Sequence, residues 1–192
     1  ACSEPDSPRV TKTGQAAVQD AVTGEWTLTY SLVVTNPSED QQLSYTLTDT
    51  PAALPTGVTP VGAWSVSGPT KVGGGSGDLT AGWNGTDKTQ VATGVLPVGA
   101  VHTYTVTGKV KVAASVPDSA LECEVTETGR TGVWNSTTVT NGVGGNPDED
   151  CIPIDRKGDA DIVKTVESTK QLADGTWEIT YLVTVTNTSK EV

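Results

Sequence analysis

Residues Trp26 to Thr35 read WTLTYSLVVT, and this run decides the fold class. Trp26, Leu28, Tyr30, Leu32 and Val34 fall on every second position, with Thr27, Thr29, Ser31, Val33 and Thr35 between them. A period of two is the mark of a strand with one face buried. Leu43, Tyr45 and Leu47 repeat the pattern after the polar turn Pro37-Ser38-Glu39-Asp40. Tyr104, Val106, Val110 and Val112 continue it, with Thr103, Thr105, Thr107, Lys109 and Lys111 facing out, and Val133, Thr137 and Val139 give a last strand. Asn84-Gly85 reads as a tight hairpin turn and Gly73 to Gly77 as a flexible loop. No apolar stripe has helical spacing. The expectation is an all-β chain built as an antiparallel β-sandwich.

Composition agrees. The 192 residues include 21 glycines and 11 prolines, no Met and no Phe, and only 35% are apolar. That mix favours strands and turns over helices. Lys and Arg number 12 against 23 Asp and Glu, a net charge of −11. Such a surface repels nucleic acid and anionic membranes, so neither is expected as a partner. No apolar stretch approaches the roughly 20 residues that a membrane span needs.

A repeat organises the chain. GEWTLTYSLVVTNPS (Gly24 to Ser38) and GTWEITYLVTVTNTS (Gly175 to Ser189) agree at eight of fifteen positions. Lys12-Thr13 matches Lys164-Thr165, and Cys2 sits where Cys151 sits, giving a period near 150 residues. The expected organisation is a linker over 1–8, a sandwich domain over 9–146, a junction over 147–161, and the first two strands of a second, incomplete copy over 162–192. Two strands cannot bury a core alone, so the rest of the second copy is expected from a following repeat or from a neighbouring chain. Three cysteines in an exported β-protein suggest disulfides rather than catalytic thiols. Cys123 and Cys151 are expected to pair, leaving Cys2 for a bridge to a preceding repeat.

The order of motifs carries a resemblance. Lys-Thr is followed by G-x-W-x-(L/I)-T-Y, V-T-N, L-T-D-T-P, two L-P-x-G runs, Y-x-V and W-N-x-T-x-V-T. This order resembles the "domain of unknown function" repeats of long bacterial cell-surface and cell-wall proteins, which are related to the isopeptide-forming domains of adhesins and pilins. The resemblance implies an immunoglobulin-like sandwich in tandem copies, head to tail, on the outside of a bacterium, as stalk, adhesin or filament. It implies no catalysis on an outside substrate.

Three polar residues fall on apolar faces. Lys12 has the parity of Val10, Asp49 ends the inward series Leu43, Tyr45 and Leu47, and Asn135 lies on the face of Val133 and Val139. Burying such groups costs several kcal/mol unless they pair. One solution is a Lys12–Asn135 isopeptide bond assisted by Asp49, with Glu122 and Glu124 as reserve acids. Adhesin domains that this chain resembles use such a triad. The alternative is a lysine that reaches out at a sheet edge, an aspartate that opens the Asp-Thr-Pro turn and an asparagine bonded to backbone.

Other signals are weaker. Asp148, Glu149, Asp150, Asp155, Asp159 and Asp161 are candidate Ca²⁺ ligands, although no EF-hand spacing is present and a solvated charge run accounts for them better. Leu54-Pro55-Thr56-Gly57 lacks the spacing of a sortase signal. His102 has no nucleophile placed to use it. A second class of function is a binding module for a host protein, a glycan or ice. Clustering of Trp64, Trp83 and Trp134 on the surface would favour that class, whereas Trp26 and Trp177 have core parity.

Overall fold

The computed structural model describes residues 6–127, 129–142, 145–156 and 160–187. The chain divides into two units, Ala1–Asp155 and Arg156–Val192. The strands of the first are β1 (Arg9–Gly14), β2 (Val18–Gln19), β3 (Trp26–Thr35), β4 (Leu43–Pro51), β5 (Val58–Pro60), β6 (Ser65–Val72), β7 (Ser76–Leu79), β8 (Gln90–Leu96), β9 (Val101–Val112), β10 (Val125–Thr126), β11 (Gly129–Arg130), β12 (Val133–Thr140) and β13 (Gly145–Ile152). The second holds β14 (Ala160–Gln171) and β15 (Trp177–Asn187). All strand pairing among the described residues is antiparallel, and the only helical turn there is a 3₁₀ turn at Asp118–Ala120.

The first unit is sandwich-like. A six-stranded sheet runs β1-β3-β9-β5, with β2 also on β3 and β6 also on β9. A five-stranded sheet runs β13-β12-β4-β8-β7. The period of two read from the sequence becomes strict alternation of burial along β3 and β9. Both sheets feed one core: Trp26, Leu28, Tyr30, Leu32, Tyr104 and Val106 from the first, Leu47, Val91, Ala92, Leu96, Val133 and Val139 from the second. Each large side chain so buried contributes roughly 1.5–3 kcal/mol.

The chain departs from the sequence reading in three places. Residues 147–152, expected as junction, form the body of β13, and the first unit extends to Asp155 rather than ending near Asn146. The segment Asn146-Pro147-Asp148-Glu149-Asp150 has no apolar alternation, yet it lies inside an eight-residue pairing of β13 with β12. Its inward side chains satisfy backbone instead of filling a core. The end of the glycine run is the second departure: Gly73, Gly74 and Gly75 form a loop as expected, but Ser76 and Gly77 do not. Ser76–Leu79 is an edge strand on β8, and Gly94 faces it. A Cβ on Gly94 would lie 2.5 Å from a Tyr45 ring carbon and 2.4 Å from the Ser76 carbonyl oxygen, and one on Gly77 would lie 2.9 Å from the Tyr104 hydroxyl. These glycines make room for aromatic rings rather than supplying flexibility. Asn84-Gly85 likewise sits in the longer 80–89 connection, where Asn84 Oδ1 accepts from the Thr86 and Lys88 amides.

In the second unit β14 and β15 form a hairpin whose register mirrors β1–β3. Val10 faces Val34 and Lys12 faces Leu32 in the first. Ile162 faces Val185 and Lys164 faces Val183 in the second. Trp177, Ile179, Tyr181, Val183 and Val185 are exposed.

Because Gly94 is held between a strand and a ring, Gly94→Val is expected to destabilise the fold by about 1–3 kcal/mol, the usual cost of overpacking. A fall in the urea midpoint at unchanged slope is the expected readout, and an unchanged midpoint would show that the Tyr45 ring has room to move.

Candidate cross-linking site

Lys12, Asp49 and Asn135 meet inside the first unit. Alternation on edge strand β1 turns Lys12 inward, and pairing with β3 fixes its position opposite Leu32. Asp49 and Asn135 come from neighbouring strands of the other sheet. Asp49 faces Thr137 across the β4–β12 pair, so Asn135 is its diagonal neighbour on the same face. A register irregularity between Leu47 and Thr48 lies just before the acid; bulges of this kind re-aim side chains beside functional groups. The acid's own amide is bonded to the Thr89 carbonyl.

The contacts are close and dry. Lys12 Nζ is hydrogen-bonded to Asp49 Oδ1. Asn135 Nδ2 donates to Asp49 Oδ2 at 3.0 Å. Asp49 and Asn135 have no exposed surface, and Lys12 retains 4%. The Lys12 amine lies 4.8 Å from the centre of the Tyr30 ring, and the Tyr30 hydroxyl donates to the Val133 carbonyl at 2.6 Å. Trp83 covers the acid from the side, its Nε1 donating to the Asp49 carbonyl at 3.3 Å. Asn135 Oδ1 is buried without a hydrogen-bond partner.

Burial sets the protonation of the pair. Desolvation lowers the Lys12 pKa from its ordinary 10.5 and outweighs the opposing pull of Asp49, Asp148 and Asp150. Desolvation likewise raises the Asp49 pKa from 3.8 against the influence of Lys12 and Asn135. Holding two separated charges without water costs several kcal/mol per ion. Both shifts favour the proton on the carboxyl and a neutral amine, the nucleophilic form of lysine. The orphaned Asn135 Oδ1 is the atom that would take up negative charge if its amide carbon were attacked.

The structure distributes the other candidates. Cys123 and Cys151 form a disulfide with Cα atoms 5.8 Å apart, and Gly132 packs against both sulfurs. Cys2 lies outside the described residues. Glu122 and Glu124 are exposed, and the acid bonded to the buried Lys12 amine is Asp49. Asp148 Oδ2 accepts from the Lys12 amide, Asp150 Oδ2 from the Gly14 amide, and Glu149 pairs with Arg130. Asp155 belongs to the first unit and Asp161 to the second, and Asp159 lies outside the described residues. Among the described residues no group of three or more His, Cys, Asp or Glu is placed to hold a metal ion.

Sequence reasoning missed a second buried polar group. Gly74 offers His102 Nε2 only a carbonyl, at 2.8 Å, so Nε2 carries the proton in the neutral ring and Nδ1 accepts from the Tyr45 hydroxyl at 2.8 Å. Tyr104 then donates to Tyr45 at 2.6 Å. The inward parity of Tyr45 and Tyr104 was visible in the sequence, and their convergence on one histidine was not. Of the unsettled tryptophans, Trp83 is buried, Trp64 stacks near Tyr30 and against Gly108, and Trp134 lies under the Arg130 guanidinium. No helix among the described residues is long and apolar enough to cross a membrane.

Comparison with protein-family models, with curated proteins and with solved structures finds no match to this chain.

The Lys12–Asp49 pair gives a definite pH signature in the Asn135→Ala variant, which keeps both ionisable groups and removes the amide. A lowered lysine alone would weaken the fold as pH falls, and a raised carboxyl alone would weaken it as pH rises. Through neutral pH the folded pair and the unfolded pair each hold one proton, so the two effects cancel there. Urea midpoints, measured relative to the same variant with Lys12→Met and Asp49→Leu, should therefore show no slope through neutral pH. A slope there would show that folding changes the proton count of the pair.

Proposed function

We propose that this chain is a structural module of an extracellular bacterial stalk, adhesin or filament: an immunoglobulin-like sandwich, repeated in tandem, hardened by cross-links. One cross-link is the Cys123–Cys151 disulfide. The other is an isopeptide bond between Lys12 and Asn135. The observation that carries this reading is the buried contact of Lys12 and Asn135 with the same carboxyl, beside an amide oxygen that has no partner.

The chemistry balances within the three side chains. The neutral Lys12 amine attacks Asn135 Cγ, forming a C–N bond, while the Asp49 carboxyl polarises the carboxamide. One amine proton passes through Asp49 to the departing nitrogen. The Cγ–Nδ2 bond breaks, ammonia leaves, and Asp49 is restored. Nothing is oxidised and no cofactor is consumed.

Two further observations support a mechanical role. The amides of Val10, Lys12 and Gly14 on β1 bond to Asn146, Asp148 and Asp150 on β13, numbers rising together, so the first and last strands of the unit run parallel. Tension drawn out through residues 9 and 152 loads that contact in shear, and a bond from Lys12 to β12 would divert the load from everything between residues 12 and 135. The repeated register of β1–β3 in β14–β15 supports tandem copies, with neighbouring repeats as partners. The tryptophans do not gather into an exposed patch in the first unit, so no observation favours the binding-module reading.

Intact mass tests the proposal. The folded chain is expected to be lighter than its sequence by one ammonia, besides the two hydrogens of the disulfide, and its digest should contain the Lys12 peptide joined to the Asn135 peptide. Asp49→Ala and Lys12→Met should each keep the full amide mass. A folded wild-type chain that retains its ammonia overturns the reading.

A further inference from the structure

The edge strands of the two sheets are joined by side chains rather than by a backbone ladder. Strand β1 pairs with β3 on one side only. On its other side three amides point to β13: Val10 to Asn146 Oδ1 at 2.8 Å, Lys12 to Asp148 Oδ2 at 2.7 Å and Gly14 to Asp150 Oδ2 at 2.7 Å. The second oxygen of each aspartate holds β13 itself. Asp148 Oδ1 accepts from the Glu149 amide at 3.0 Å, and Asp150 Oδ1 from the Cys151 amide at 2.8 Å. Each carboxylate thus bridges two exposed edges.

This ladder is in register with the cross-linking site. Asp148, Thr137 and Asp49 form one row across β13, β12 and β4. The backbone of Lys12 is held at the first member of that row, and its amine reaches the last. The next row, Asp150, Asn135 and Pro51, carries the amide and is held to Gly14. A slip of two residues would move Lys12 to the row of Asp150 and Pro51, or to that of Asn146, Val139 and Leu47. Neither row holds an acid on β4.

We propose that Asp148 and Asp150, with Asn146, are positioning residues for the Lys12–Asn135 cross-link: they set the register of β1 on the five-stranded sheet and so deliver the amine to Asp49. The inference rests on the isopeptide reading above. Charge is not what the aspartates supply, since their negative charges oppose the neutral amine that the reaction needs. Their oxygens are what matter, and Asn146 already does the same task with an amide oxygen. Hydrogen bonds of this kind are among the strong ones when the acceptor is ionised, and a reacting group displaced by about 1 Å loses on the order of a hundredfold in rate.

The test is the rate of ammonia loss from the full chain, recovered unfolded, refolded by dilution with the disulfide intact, and weighed at intervals. Asp148→Ala should slow the reaction by about tenfold or more, from misplacement of the amine. Asp148→Asn keeps an acceptor oxygen and should stay within about twofold of wild type. It should also move the acid limb of the pH–rate profile to lower pH, because one charge that favours the protonated amine is gone. Leu96→Ala, a buried change outside the ladder and the triad, destabilises without touching either and should leave the rate of the folded chain unchanged. Equal rates for Asp148→Ala and wild type overturn the inference while leaving the cross-link intact. So does equal slowing by Leu96→Ala, or failure of Asp148→Asn to rescue. A wild-type chain that never loses ammonia overturns the isopeptide reading itself, and this inference with it.

Discussion

The contact between Lys12 and Asp49 is the constraint around which the first unit is arranged. Two ionisable groups lie where a sandwich ordinarily places leucine or valine, in a chain whose apolar content is only 35%. Removing one partner from such a pair leaves an uncompensated buried group and costs about 3–5 kcal/mol, whereas replacing both by apolar residues is often neutral. The pair is therefore a poor device for stability alone. Its surroundings fit a chemical task better. Tyr30 lies beside the amine, Trp83 bonds to the acid's backbone carbonyl, the irregularity in β4 sits just before the acid, and burial favours a neutral amine and a protonated carboxyl. The unpartnered Asn135 Oδ1 belongs to the same economy. An orphaned buried acceptor costs about 1–3 kcal/mol, and this oxygen is the one that would take up charge in the proposed attack on the carboxamide.

The second constraint is closure of the sandwich. Open edges invite pairing with other chains, and β1 and β13 are the edges of their sheets on the side where the lysine enters. Acidic side chains seal them. This explains how so polar a sequence closes a compact unit, and why part of its negative charge is concentrated near residue 150. Strand β13 carries three independent ties: pairing with β12, the side-chain ladder to β1, and the disulfide through Cys151. The last places a covalent link one residue from Asp150, so the ladder is anchored at the end nearest the Asn135 row.

What was legible in the sequence follows from the physics of each element. Strands β3, β4, β9 and β12 show themselves because one face is apolar and the other is Thr-rich, and a period of two survives any loop length. The inward positions of Lys12, Asp49 and Asn135 follow from the same parity, since a polar residue in phase with leucines must share their face. Strand β13 was hidden because its alternation is in hydrogen-bond acceptors, Asn146, Asp148 and Asp150, rather than in apolar groups. A period-two run of short acceptors beside a known edge strand is the signal that would have found it. Gly77, at the end of the glycine run, was misread for a similar reason. Glycine marks turns and close approaches alike, and only the opposing rings of Tyr45 and Tyr104 decide between them. Glu122 and Glu124 looked eligible as acids from spacing, but nothing in one strand's sequence tells which loop carboxylates reach a core.

The second unit separates what the hairpin encodes from what the opposing sheet adds. Lys164 lies 4.0 Å from the centre of the Tyr181 ring, as Lys12 lies over Tyr30. Both pairs sit diagonally across the same register, Lys12 opposite Leu32 with Gly14 opposite Tyr30, and Lys164 opposite Val183 with Val166 opposite Tyr181. In β14–β15 both members of the pair are exposed. The lysine–aromatic contact is thus a property of the two strands alone, where an ammonium in water is drawn to a ring face. In the first unit the five-stranded sheet covers the same contact and adds Asp49, Asn135 and the carboxylates of β13. Desolvation there pushes the Lys12 amine toward its neutral form, against a carboxyl pushed toward its protonated form. The proposed cross-link therefore needs both halves: a hairpin that aims the lysine, and a sheet that dries it and supplies the acid and the amide.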